Sequence, residues 1–262
     1  ISRITRNTVI GLQVRSALHT RNWQGVVDRA TEIIPAQPIA SIASYPAIWT
    51  TRSLPENQST EVLWKINIQP VNLGSAIGSL WQDVGTGAVQ ASPAVKLMNT
   101  FDQVNDVRFA TFFRTSPRNL IAKYGAVIGT NGENFLYDVK MMRTSEILLA
   151  RAEAYAELNQ PALANADLSL LRSNRITGYT HTALSNPALV SAILEERYKE
   201  LCYEGHRYFD LRRRSLPINR DINDAAGQAP IQNLLPNNFR YILPIPLNET
   251  LANSNMQQNS GY

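Results

Sequence analysis

The chain has 262 residues, a hydrophobic fraction of 44% and a net charge of +4. That is ample for a full core and excludes intrinsic disorder, and the mild basic excess excludes a charge-driven nucleic-acid binder. A single cysteine, Cys202, excludes an intramolecular disulfide, and no apolar run approaches the roughly 20 residues that span a bilayer.

In chain order, residues 3–20 read as a helix with Ile4, Leu12, Val14 and Leu18 as inward positions. Residues 22–34 follow the helical period more clearly through Trp23, Val26, Val27, Ala30, Ile33 and Ile34. Asn22 suits the N-cap and Pro35 the stop. The short link at Thr20 and Arg21 makes these two helices an antiparallel pair. Residues 35–140 change character: they hold Tyr45, Trp49, Trp64 and Trp81 among many Ser, Thr, Asn, Gln, Gly and Pro. Within them, 61–68 alternates like a half-buried strand, 72–87 reads as loop and short helix, and Gly132 marks a hairpin turn. Residues 142–158 return to helix with Ile147, Leu148, Ala152, Tyr155 and Leu158 inside. Asn159 and Gln160 lead to Pro161, which opens a helix to about Arg175 with Leu163, Ala166, Leu170 and Leu171 inside. Both pairs follow the tetratricopeptide (TPR) format of two helices and a tight turn. The expected fold is mainly α: a TPR-like helical-pair solenoid with a large insertion of loops and short strands. One domain, 1–262, is then built from a helix pair (1–34), the insertion (35–140), helices (141–214) and an irregular C-terminal segment (215–262).

The segment 193–214, ILEERYKELCYEGHRYFDLRRR, reads as one further helix, with 212–214 as a basic C-terminal cluster that suits the helix dipole. Glu196, Glu200 and Glu204 are spaced four apart, so they would repel on an exposed face unless cations met them. We therefore expect a structural ion-pair network of Arg143, Arg151, Glu196, Arg197, Glu200, Glu204, Arg207 and Asp210, with Arg143 or Arg151 docking on Glu200 or Glu204 as a bidentate fork. A glycosidase reading of these carboxylates is weaker, because hydrolysis needs two carboxyls facing each other across a bond rather than stacked on one helix face. His19, His181 and His206 are scattered without metal-ligand spacing, and Asp221 to Asp224 lack the pattern of a calcium loop. No metal or cofactor is expected. Cys202 reads as a packing residue on the same helix.

Sugars offer flat C–H faces that stack on aromatic rings, and hydroxyls that need amide and carboxylate partners. Tyr45, Trp49, Trp81, Gln82 and Asp83 therefore form the candidate ligand set. The competing reading places Trp49 and Trp81 as core residues that pin the insertion to the helices. Trp64 and Trp23 read as core.

Three segments in order carry a family resemblance. ERYKELCYEGHRYFDLRR (196–213), the closing YILPIPLNE (241–249) with NSNMQQNSGY (253–262), and RTSEILLARAEAY (143–155) resemble the SusD/RagB family of outer-membrane nutrient-binding lipoproteins. Asp106 and Arg108 are similar to that family's Asp-x-Arg segment. The resemblance implies a non-catalytic protein that captures oligosaccharide or another nutrient on the outer face of the outer membrane. Its partner would be a SusC-like TonB-dependent transporter. It implies a longer protein with an N-terminal lipid anchor lying ahead of Ile1. It carries over no ligand residue. A plain TPR interaction module, and a peptide-capturing member of the family, are the alternatives.

Overall fold

A computed structural model describes residues 2–51, 61–68, 77–83, 86–116, 118–124, 137–224 and 233–262. The fold is mainly α with small two-stranded sheets. The chain divides into two compact units, 1–204 and 205–262. The turn expected at Gly132 lies outside the described residues.

Two helix pairs build the first unit. In the first, α1 (Arg6–His19) is followed by α2 (Trp23–Ile33); in the second, α6 (Thr144–Glu157) is followed by α7 (Pro161–Ser173). Thr5 caps α1 and Asn22 caps α2, its side chain accepting from Gly25 N at 3.0 Å. The two links share one closure. Arg21 and Asn159 take left-handed φ values of 58° and 57°. The next amide then donates five residues back, Asn22 to Ala17 O at 2.9 Å and Gln160 to Tyr155 O at 2.8 Å. This is the Schellman ending of a helix, used twice to turn the chain antiparallel. Helix α6 packs on α1, α2, α7 and α8 (Ala188–Glu200), and nearly all of its residues are buried. Val14, Leu18, Val26, Ala30, Ile33, Ile147, Leu148, Leu168 and Leu171 close the core around it.

Three expectations are corrected here. Ile4, ahead of α1, and Leu12 on it are exposed, and Ile10 takes the inward place. In α7, Leu163, Ala166 and Leu170 face out while Ala164, Asp167 and Leu168 face in. The reason is Arg151 on α6, which grips Asp167 at 2.8 and 2.7 Å and draws that face of α7 inward. Third, 193–214 is not one helix. It is α8 and α9 (Arg207–Arg213), separated by a turn in which Tyr203 and Gly205 adopt φ of 63° and 83°. Gly205 is the residue that tolerates this geometry, and it was the readable sign of the break.

The insertion contributes α3 (Tyr45–Thr50), β1 (Val62–Ile66), α4 (Val95–Met98), α5 (Val107–Phe112), β2 (Phe113–Arg114), β3 (Leu120–Ile121) and β4 (Val139–Arg143). Strands β1 and β4 pair antiparallel directly before α6. A lone five-residue pair is marginal in water, and this one survives because it separates two cores. Adjacent strand residues face opposite ways: Leu63 joins the helical core, and Val62 joins an aromatic core of Tyr45, Trp49, Phe101, Phe109, Phe112, Phe113 and Tyr124. Trp64 is half-buried against the helical core. Where α1 crosses this sheet, a Cβ on Gly11 would lie 2.2 Å from Met142 Sδ. Gly11→Ala should therefore lower stability by about 1–3 kcal/mol through overpacking, read as a lower urea midpoint at an unchanged slope.

In the second unit, α9 is followed by the short pair β5 (Ile218–Asn219) and β6 (Asn233–Leu234), and later by α10 (Leu247–Ala252). The C-terminal residues fold back on 239–245: Gln258 exchanges hydrogen bonds with Ile245 N and O, and Tyr262 stacks edge-on against Phe239.

Candidate functional site

The charge seam expected on 193–214 is a buried cluster centred on three arginines. Arg143, at the junction of β4 and α6, meets Glu61 at 2.5 Å, Glu200 at 2.7 Å and Glu204 at 2.7 Å. Arg175, just past α7, meets Glu61 at 2.7 Å and Glu200 at 3.1 Å. Arg108, on α5, meets Asp106 and Glu196 at 2.7 Å each and Glu200 at 3.0 Å. All three guanidinium side chains are fully buried. Arg172 closes on Glu196 from the side, and Lys123 donates to Glu204 at 2.8 Å. At Glu196, Glu200 and Glu204 burial pushes the pKa up, but the facing cations outweigh it. Glu196, facing Arg108, Lys199 and Arg172, falls to about 2, and Glu200, facing Arg175, Arg143 and Arg108, falls well below the usual range. Carboxylates held ionised and buried in this way have no proton to lend near neutral pH, which disfavours an acid/base role.

Of the expected network, Arg143, Glu196, Glu200 and Glu204 come together. Arg151 does not join them, because Asp167 holds it on the α6–α7 seam. Arg197 is buried on α8. Arg207 is exposed on α9, and Asp210 pairs with Arg213 at 2.8 Å within the second unit. Glu61, Asp106, Arg108, Lys123, Arg172 and Arg175 were missed as network members. Each comes from a segment far along the chain, and only the Asp106–Arg108 spacing carried a readable signal.

The cluster rests on aromatic faces. The Arg175 guanidinium lies 3.9 Å from the centre of the Tyr45 ring, and Lys123 Nζ lies 4.1 Å from that of Trp49, with Arg143 at 5.0 Å. Tyr45 and Trp49 are 0% and 1% exposed. This corrects their place in the ligand set: their faces are covered by cations and by Phe112 and Tyr124, so they are part of the floor of the core.

Trp81, Gln82 and Asp83 are placed differently. They follow a 3₁₀ turn (Ile77–Leu80) and begin a tight excursion that returns at Val89, bridged to Gln82. Trp81 O accepts from Gln90 N at 2.8 Å and from Ala91 N at 3.1 Å. Asp83 Oδ1 accepts from the Thr86 amide and hydroxyl, each at 2.7 Å, so this carboxylate shapes the loop. Gln82 is buried and donates to Gly87 O at 2.8 Å, while its Oε1 has no hydrogen-bond partner among the described residues. Trp81 is half-buried, and its Nε1 has no hydrogen-bond partner among the described residues. Its ring meets Tyr203 edge-on at 5.2 Å, and Tyr203 in turn meets Phe113 at 6.3 Å. Tyr203 lies in the turn between α8 and α9. That turn is held by Glu204 on Arg143 and Lys123, and by Lys123 Nζ donating to Cys202 O at 2.8 Å. The buried charges thus position Tyr203, and Tyr203 buttresses Trp81. Tyr203 is the site residue the sequence reading missed; only its place beside Gly205 hinted at an unusual backbone.

Cys202 is buried, and burial lifts its thiol to about 11, so it stays protonated and serves packing. Among the described residues no cluster of His, Cys, Asp and Glu is arranged to hold a metal ion. A groove of about 270 Å³ at the α1–α2 elbow, lined by Gln13, Ser16, Thr20, Asn22 and Arg29, has no aromatic ring on which a sugar could stack.

An antiparallel helical-pair framework with an aromatic-rich insertion is the class that this fold and site define. The sequence profile of the SusD family matches residues 98–262, and the chain belongs to that family. It is 31% identical over 149 residues to SusD-like protein P2 of Formosa agariphila, a match covering 53% of this chain and 29% of that protein. Among solved structures it is similar to a SusD superfamily protein from Bacteroides thetaiotaomicron, with a TM-score of 0.81, 22% identity and coverage of 98% of this chain and 60% of that one. It is also similar to a SusD-like carbohydrate binding protein from Bacteroides vulgatus, with a TM-score of 0.73, 23% identity and coverage of 97% and 59%. The chain therefore spans under a third of the curated relative and about three fifths of the solved ones.

Proposed function

We propose that this chain is part of a non-catalytic protein that captures oligosaccharide at the cell surface and hands it to a SusC-like TonB-dependent transporter. The observation that carries the reading is Trp81: a half-buried ring just past a 3₁₀ turn, buttressed edge-on by Tyr203. A sugar stacked on the accessible part of such a ring supplies the C–H face that the ring takes. Membership of the SusD family supports carbohydrate or nutrient binding. The ionised, buried glutamates support binding without hydrolysis. Attachment to the outer membrane would come from a lipid anchor in the longer protein, and no helix among the described residues is long and apolar enough to cross a membrane.

The test is calorimetry and thermal shift against a panel of oligosaccharides and short peptides. A glycan that raises the melting temperature stabilises the native state by mass action. Trp81→Ala should weaken its binding by about tenfold, the loss of one stacked ring. Trp23→Phe, on α2, should leave affinity unchanged. Peptide hits without glycan hits would favour a peptide-capturing member of the family, and glycan cleavage products would overturn the non-catalytic reading.

A further inference from the structure

The aromatic core holds a lysine that the charge network does not use. Lys140 is on β4, 3% exposed, directly opposite Lys65 on β1. Opposed residues on paired strands point to the same face. The carboxylate next to them, Asp138, is bonded to Lys65 at 2.6 Å, and both of those side chains are 1% exposed. Among the described residues Lys140 Nζ has no hydrogen-bond partner and no carboxylate within ion-pair distance. The rings of Trp49, Tyr124 and Tyr137 flank it, with centres 5.4, 5.6 and 5.9 Å away. Two of these rings carry orphans of their own: Trp49 Nε1 and Tyr124 Oη are buried without a hydrogen-bond partner among the described residues. The rings around this amine therefore bring two donors that, like it, find no acceptor among the described residues, and a native interior rarely leaves such groups so.

An unpaired ammonium in such surroundings gives up its proton. Burial brings Lys140 down to about 7; Asp138 and Glu204 pull its value up, while Lys65 and Lys123 push it down. A free amine in a dry aromatic pocket is a nucleophile for a small apolar electrophile that crosses such packing without losing hydration.

We propose that Lys140 is a carbamate-forming lysine, its amine adding to carbon dioxide to give an Nζ-carboxylate that accepts from Trp49 Nε1 and Tyr124 Oη. The Nζ lone pair forms the N–C bond. One C=O π pair moves onto oxygen, and one N–H proton leaves to solvent, so the neutral amine becomes an anion and nothing is oxidised or reduced. The new charge falls among Lys65 and the Lys123 and Arg143 groups that sit over the Trp49 ring. Those cations, and the two orphaned donors, then have an acceptor in their midst.

The experiment is carbon-13 NMR of the whole chain equilibrated with labelled bicarbonate at pH 8. A protein carbamate resonance should appear, persist in Lys96→Met and vanish in Lys140→Met, with circular dichroism checking that each variant is folded. Tyr124→Phe keeps the lysine and removes one donor; the carbamate fraction should fall about tenfold, the worth of one hydrogen bond to a charged group. A spectrum showing only the carbamate of the amino terminus would overturn the proposal, as would a resonance that survives Lys140→Met. An undiminished signal in Tyr124→Phe would remove that hydroxyl from the site.

Discussion

Arg143→Met is expected to destabilise the chain by about 3–5 kcal/mol, the cost of leaving buried charge unpaired. One guanidinium meets Glu61, Glu200 and Glu204, and it also donates to Glu200 O at 2.9 Å and Ser145 Oγ at 2.8 Å. Methionine fills much of the volume and keeps the stem, so the loss is electrostatic rather than a cavity. Arg175 and Lys123 remain, but Arg175 is already bonded to Glu61 and Glu200 and Lys123 to Glu204. Urea unfolding monitored by circular dichroism gives the change in midpoint. Arg6→Ala is the comparison: its pair with Glu32 is formed by a side chain 73% exposed, and its removal should stay within about 0.5 kcal/mol. Equal midpoint losses for the two variants would mean that the buried cluster contributes no more than a surface pair. A further consequence reaches the site. Without Arg143, Glu204 keeps only Lys123 among the cations that hold the α8–α9 turn, so Tyr203 should loosen under Trp81 and indole fluorescence should shift red.

Acid should unfold this protein through the same cluster. The native carboxylates of Glu196, Glu200 and Glu204 lie below their ordinary values, since the arginines outweigh burial. The unfolded chain therefore binds protons first as pH falls. The stabilisation from these groups is complete above about pH 5 and is lost progressively as pH drops toward their native values. For Glu196 the fall from 4.5 to about 2 corresponds to about 3 kcal/mol, an order of magnitude for one buried group. Glu196→Gln should be less stable at pH 7, because Arg108 loses one of its three carboxylates and Arg172 the one it meets, and its stability should fall less steeply between pH 5 and pH 2. Parallel curves for the two proteins would place the acid sensitivity elsewhere.

The extent to which these features were legible differs from element to element. The two helix pairs were readable because helical contacts are local: Val26, Ala30 and Ile33 announce a face by spacing alone. Their links were readable because a Schellman turn is also local, and Asn159 is a residue that takes left-handed φ readily. The faces of α1 and α7 were not fully readable. Asp167 looks solvent-facing until Arg151 is known to wait for it from the neighbouring helix, and Leu163 looks buried until that choice turns it out. The glutamates of α8 signalled that cations must come, and Arg143 was within the foreseen pair. Arg108 and Arg175 were not foreseen, since nothing local to either residue demands Glu200.

The aromatics divide along the same line. Tyr45, Trp49 and Trp81 are alike as letters in a polar insertion. Tertiary packing alone sends the first two under a roof of guanidinium and ammonium groups and leaves Trp81 half in solvent against Tyr203. The mainly helical class, the paired-helix rhythm and the SusD family were all legible in the residues, because each rests on short-range spacing or on contiguous motifs. Packing settled which cations neutralise the glutamates, which rings remain accessible and, among the described residues, which lysine is left without a carboxylate in ion-pair reach. Those outcomes depend on groups many tens of residues apart being desolvated together, and desolvation is a property of the packed chain rather than of any segment within it.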